Sequence, residues 1–247
     1  MLLRPAKLIA LVSALSVGLA GMAPAQDYDQ LSKRCYTESL ADHVIVGCSA
    51  VIARGLADRA DLAAAFKNRG NAHDDKGDYA RALEDYDEAV KINPLDADAF
   101  NSRGTTYTAL ARYERAILDF DEAIKLNPAS PLAFGNRCFA RGVLDQLDQA
   151  LADCNEALRL KPNSPGVLGS RAFVYLKLRR YDAAIADYNR KLRVNPDDAY
   201  ALFGRGLAKR MKGDLSGGDG DMVAAQALRP GISDDLARLG IRLQSLQ

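Results

Sequence analysis

From residue 63 onward the apolar positions of the chain fall at helical spacing. In the stretch 79–92, Ala82, Leu83, Tyr86, Ala89 and Val90 recur at three- and four-residue steps. Such spacing places them on one face of a helix. The same pattern returns at a fixed interval, and prolines at 94, 128, 162, 196 and 230 stand 34 residues apart. The stretches before the first four read YDEAVKINP, FDEAIKLNP, CNEALRLKP and YNRKLRVNP. Four units also share a start, FKNRG, FNSRG, FGNRC and FGRG, with Phe203 one residue late and Leu202 in the aligned place. Proline cannot continue a helix, so each unit reads as a helix pair closed by its proline. The pattern predicts pairs at 63–76 and 79–92, 97–110 and 113–126, 131–144 and 147–160, 165–178 and 181–194, and 199–211 and 214–228.

A 34-residue period carrying these residues resembles the tetratricopeptide repeat. Gly70, Gly104, Cys138, Ala172 and Gly206 match that family's small residue on the first helix. Ala82, Ala116, Ala150, Ala184 and Gly218 match its alanine early in the second. Tyr86, Phe120, Cys154, Tyr188 and Met222 match its aromatic, and Ala89, Ala123, Ala157, Lys191 and Ala225 its next alanine. The resemblance implies an all-α, right-handed solenoid of five helix-turn-helix repeats, at 63–96, 97–130, 131–164, 165–198 and 199–232. Residues 26–62 read as a degenerate helix pair capping the first repeat, and 233–247 as a capping helix with Leu236, Leu239, Leu243 and Leu246 on one face. Gly217, Gly218 and Gly220 predict a last second helix that is short or frayed at its start, because glycine is a poor helix former.

The N-terminus changes the expected compartment. Arg4 and Lys7 precede an uncharged apolar run, Leu8 to Ala20, and Ala23-Pro24-Ala25 offers a small-x-small cleavage pattern. Residues 1–25 are therefore expected to be a secretory signal peptide. The resemblance to exported repeat proteins of Gram-negative bacteria implies the periplasm. Without that segment 31 basic residues face 32 acidic ones, a charge of −1. This balance speaks against nucleic acid as the main partner. No integral membrane segment is expected after the leader. In an exported chain four cysteines are expected to pair. Cys138 and Cys154 replace the small residue and the aromatic of one repeat, registers that face each other in the hairpin, so they are expected to be bridged. Cys35 and Cys48 are expected to pair across the N-terminal cap.

Three constellations remain. Arg69, Arg103, Arg137, Arg171 and Arg205 stand where the family usually has leucine. Sixteen residues after each comes an acid, Asp85, Asp119, Asp153, Asp187 and Asp221. The expectation is a structural ladder of Arg–Asp pairs, within repeats or between neighbours. Second, Lys67 and Asn71 match two residues of the family's carboxylate clamp, but Ser102, Leu132 and Asn136 do not complete it. Third, on the first helices, where the family exposes its concave groove, polar residues in repeats one and two give way to apolar ones. Leu132, Phe139, Val143, Phe173, Leu176, Tyr200, Phe203 and Leu207 are the candidate partner-binding residues, with packing against a neighbouring repeat as the other reading.

Catalysis finds little support: His43 and His73 lie in different helix pairs, and no nucleophile shares a register with either. No catalytic residue, cofactor or metal is expected. The resemblance implies a periplasmic scaffold or adaptor that holds a protein or peptide segment in its groove. The alternatives are an enzyme with an unrecognised site and a self-assembling structural envelope protein.

Overall fold

The computed structural model describes residues 25–55 and 58–241, which form thirteen helices without a strand. The expected leader lies outside the described residues except for Ala25. Helices α1 (Ala25–Thr37) and α2 (Ala41–Arg54) form the N-terminal pair. The five repeats follow as α3 (Arg59–Asp75) with α4 (Tyr79–Ile92), α5 (Ala97–Ala109) with α6 (Tyr113–Leu126), and α7 (Pro131–Val143) with α8 (Leu147–Leu160). Then come α9 (Pro165–Lys177) with α10 (Tyr181–Val194), and α11 (Ala199–Met211) with α12 (Leu215–Leu228). A short α13 (Ile232–Arg238) ends the series. Each helix packs on its hairpin partner and on the next helix in the chain, which gives an all-α solenoid.

Local chemistry sets the boundaries. The side chains of Asp58, Asp78, Asp96, Ser130, Asp198 and Asp214 each accept a backbone N–H in the first turn of the helix that follows. Such caps satisfy donors that the helix itself leaves free. The Asp58 cap starts α3 four residues earlier than the period predicts. Pro131 and Pro165 sit in first turns, where their missing N–H costs nothing. Within every repeat the hairpin turn needs one left-handed residue, at Gly77, Ala111, Asp145, Arg179 and Gly213. Only the first and last turns use glycine for it.

Small residues let the paired helices approach. A Cβ at Gly104 would stand 2.7 Å from the Phe120 ring, and one at Gly70 would stand 2.9 Å from Tyr86. The fifth repeat shows why glycine entered its second helix. A Cβ at Gly218 would meet the Gly206 carbonyl oxygen at 2.7 Å, so the backbones themselves are in contact. The expected fraying is not found: α12 spans fourteen residues and is capped by Asp214. The C-terminal helix is shorter than predicted. It stops at Arg238, and Gly240 takes a φ of 84°. Ile232, Leu236 and Ile241 are buried against the last repeats, while Leu243 and Leu246 lie outside the described residues.

Cys35 and Cys48 join α1 to α2 with an S–S distance of 2.15 Å, and Cys138 and Cys154 join α7 to α8 at 2.02 Å. No described helix is long and apolar enough to cross a membrane.

Candidate functional site

The Arg and Asp registers meet in all five repeats. Arg69 donates to both carboxylate oxygens of Asp85, at 2.9 and 2.7 Å. Arg103 does so to Asp119 at 2.9 and 2.6 Å, and Arg137 to Asp153 at 2.9 and 2.6 Å. Arg171 reaches Asp187 at 2.6 and 2.9 Å, and Arg205 reaches Asp221 at 2.7 and 2.6 Å. These are fork-to-fork pairs on mostly buried carboxylates, the geometry that arginine's planar group suits.

The third arm of each guanidinium crosses to the preceding unit. It donates to Ser49, Asp87, Asp121, Asn155 and Asn189 in turn, at 3.0, 2.8, 2.6, 2.9 and 2.8 Å. The ladder therefore runs both within and between repeats. Sequence reasoning missed these acceptors, although a signal was present: Asp87, Asp121, Asn155 and Asn189 all directly follow the aromatic-register residue.

The rungs differ electrostatically. Burial pushes the Asp119 carboxyl above the usual range, beyond what Arg103 offsets, and Asp87 adds to the rise. At Asp221 burial pushes the same way, yet Arg205 and Lys209 together hold the carboxyl below that range.

The first helices α5, α7, α9 and α11 line a concave face that holds two adjoining clefts. One, of about 200 Å³, lies among Thr105, Leu132, Gly135, Asn136, Phe139 and Val167. The other, of about 440 Å³, runs from Thr108 past Phe139, Gly166, Gly169 and Phe173 to Tyr200, and Leu236 of α13 and the following Leu239 border its end. Thr108, Phe139, Gly166 and Ser170 border both. Tyr113, Phe139 and Phe173 form an aromatic row, with ring centroids 6.5 and 5.9 Å apart. The one charged side chain of the two linings is Lys191, and Asp198 holds it at 3.0 Å.

Of the sequence-predicted groove residues, Leu132, Phe139, Phe173 and Tyr200 line these clefts. Leu132 is 62% exposed and Tyr200 39%, whereas Phe173 shows the cleft one edge and is otherwise buried. Val143 is half-buried against the core. Leu176, Phe203 and Leu207 do not belong to the groove. They are buried among Val174, Tyr188 and Ile232 in the core of the last repeats. Phe203 and Leu207 face inward because α13 covers the end of the array, which helical spacing alone does not reveal.

The polar half is closed on itself. Lys67 donates to Asp96 at 2.8 Å, and the Tyr86 hydroxyl donates to Asn71 at 2.7 Å. The Thr106 hydroxyl donates to Asp74 at 2.5 Å. Both residues that match the carboxylate clamp are thus already bonded.

A sequence profile described as tetratricopeptide repeat matches residues 67–131 and 171–217. No curated protein sequence matches the chain. Among solved structures, a tetratricopeptide repeat protein from Parabacteroides merdae superimposes with a TM-score of 0.68 at 19% identity, covering 90% of this chain and 93% of its own. PilF of Pseudomonas aeruginosa gives 0.67 at 21% identity, with 86% and 96% covered. YrrB, described as having an unusual peptide-binding site, gives 0.57 at 20% identity, with 78% and 96% covered. At such identities these structures share the fold. Period, repeated geometry and profile agree that the chain carries tetratricopeptide repeats.

Proposed function

We propose that the protein is an interaction scaffold that holds an uncharged, partly apolar segment of another polypeptide in the concave face of repeats two to five. The observation that carries this reading is the pair of adjoining clefts, walled by Phe139, Phe173 and Tyr200 and floored by Gly135, Gly166 and Gly169. Apolar clefts with a few polar groups are the usual form of a binding site. Aromatic anchors supply much of the energy in groove recognition. The near-neutral charge and the pairing of Lys191 with Asp198 speak against a nucleic-acid backbone as the ligand of these clefts. Two disulfides fit an oxidising compartment, and with the leader-like N-terminus they support a periplasmic setting.

The test is capture from periplasmic extract by the immobilised protein. Phe139→Ser is expected to abolish retention of a defined partner while the melting profile stays close to wild type. Lys67→Ser with Asn71→Ser is expected to leave retention largely intact. The opposite ranking would move the site to the polar half. Retention of the chain's own copies alone would favour the self-assembling alternative.

A further inference from the structure

Tyr86 and Tyr188 occupy the same register three periods apart, and both rings are buried between their paired helices. Their hydroxyl groups meet different surroundings. The Tyr86 hydroxyl donates to Asn71 at 2.7 Å and has the Thr106 and Ser102 hydroxyls beside it. The residues three periods after Asn71, Ser102 and Thr106 are Phe173, Gly204 and Ala208. Every polar neighbour has been exchanged for a carbon surface, yet the tyrosine has kept its oxygen. Phe120 in the second repeat shows that the register takes a ring without one.

Among the described residues the Tyr188 hydroxyl has no hydrogen-bond partner, and the residue is 4% exposed. It lies against bare backbone, since a Cβ at Gly204 would stand 2.4 Å from its oxygen. The residue borders the larger cleft, next to Gly169 and Lys191. The oxygen is not sealed from solvent, and on the cleft side a ligand acceptor can take the place of water on it. Of the other hydroxyls along the cleft, Thr108 and Ser170 donate to their own helices and Tyr200 donates to Asp235, while Tyr113 is only half-buried at the opposite end from Tyr200. Burial, with Asp198 and Asp187 nearby, pushes the Tyr188 phenol up, so it remains a donor across the physiological range.

We infer that the Tyr188 hydroxyl is the recognition donor of the cleft, and that it binds a backbone carbonyl of an extended partner segment whose apolar side chain lies against Phe139 and Phe173. A carbonyl fits better than a carboxylate, because the neighbouring cation Lys191 is already neutralised by Asp198. This inference rests on the groove reading above and adds the group that reads the ligand.

The experiment titrates the capped neutral tripeptide acetyl-Leu-Phe-Ala-amide into the full protein and follows backbone amide resonances. Gly166→Leu is the blocking control: a Cβ there meets nothing within 4 Å, so the new side chain occupies the cleft without disturbing the wall. Shifts at Gly169, Ser170 and Lys191 are expected in the wild type and absent in Gly166→Leu. Tyr188→Phe is expected to bind about five-fold more weakly, the worth of one neutral hydrogen bond. Without ligand, Tyr188→Phe should melt no lower than wild type, whereas Tyr86→Phe should melt lower because it loses the bond to Asn71. If Gly166→Leu blocks binding and Tyr188→Phe binds like wild type, the groove stands and the role of Tyr188 is overturned. If the tripeptide does not shift these residues, or Gly166→Leu does not block it, the groove reading falls and this inference with it. A Tyr188→Phe melting loss as large as that of Tyr86→Phe would show the hydroxyl to be satisfied internally, which also overturns the role.

Discussion

The concave faces of the first two repeats and of the last three come from one period but end in opposite states. In the first half polar side chains find each other: Lys67 with Asp96, Asn71 with Tyr86, Asp74 with Thr106. In the second half the corresponding positions carry rings and glycines, and the space between them stays open. A polar residue on a solenoid groove is therefore no sign of a binding site by itself, because the neighbouring repeat sits within reach to satisfy it. What marks the second half is surface and one hydroxyl that no neighbour satisfies.

The largest effect that bears on this comparison comes from the ladder beneath both halves. Asp153 accepts from Arg137 and also from Arg141, at 2.7 Å. Asp85 is held by Arg69, with His73 at 4.0 Å. Asp153→Ala leaves two guanidinium groups short of an acceptor and is expected to cost about 3–5 kcal/mol. Asp85→Ala is expected to cost less, since it deprives one guanidinium, Arg69, of its carboxylate instead of two. Chemical denaturation of the two variants measures the difference, and equal losses would mean that the halves share one frame without bias.

Next in size is the bridge at Cys138 and Cys154, which closes a loop with a sequence separation of 16 residues. Replacing both with alanine is expected to remove about 3 kcal/mol in the chain-entropy account. The loss should appear in thermal melting under oxidising conditions and vanish when wild type and variant are both reduced. Full stability in the oxidised variant would show that packing of the neighbouring rings holds the third repeat unaided.

The smallest effect belongs to the first half. Burial lowers the pKa of His73 from 6.5, and the nearby Asp85 offsets this only in part. The unfolded chain therefore takes up the proton more readily. The stability that neutral His73 contributes is present above about pH 6.5 and is lost as pH falls through its lower folded value. His73→Tyr, which copies Tyr107 and Tyr175 at the same register, should flatten this part of the melting curve against pH. An unchanged slope between pH 7 and about pH 5 would assign the acid sensitivity to the carboxylates instead.

Much of the fold was legible because the proline interval and the apolar steps are local properties of the chain. The helix at 79–92 is found at Tyr79–Ile92, and that at 113–126 at Tyr113–Leu126. Legibility failed where one backbone touches another. Gly218 looks like a helix breaker in sequence, and its contact with Gly206 belongs to the folded pair alone. Leu239 looks like the continuation of an apolar stripe, but Gly240 turns the chain away. In the candidate site, Phe139 and Phe203 carry the same signature of an aromatic on a first helix. Only the placement of α13 and the last core separates the one that lines a cleft from the one that is buried. The Arg–Asp register could be read, but whether it crossed repeats could not, since a period of 34 places both options at equivalent offsets.

The crossing arm of the ladder has a mechanical consequence. In the front of the array it ends on carboxylates, Asp87 and Asp121, and in the back on amides, Asn155 and Asn189. The donor is a cation in every case, so all four bonds are charge-assisted, and the first two add the attraction of a second charge. The joints among repeats one to three are thus ion pairs, and those among repeats three to five are cation–amide bonds. Added salt is therefore expected to loosen the first joints more than the last.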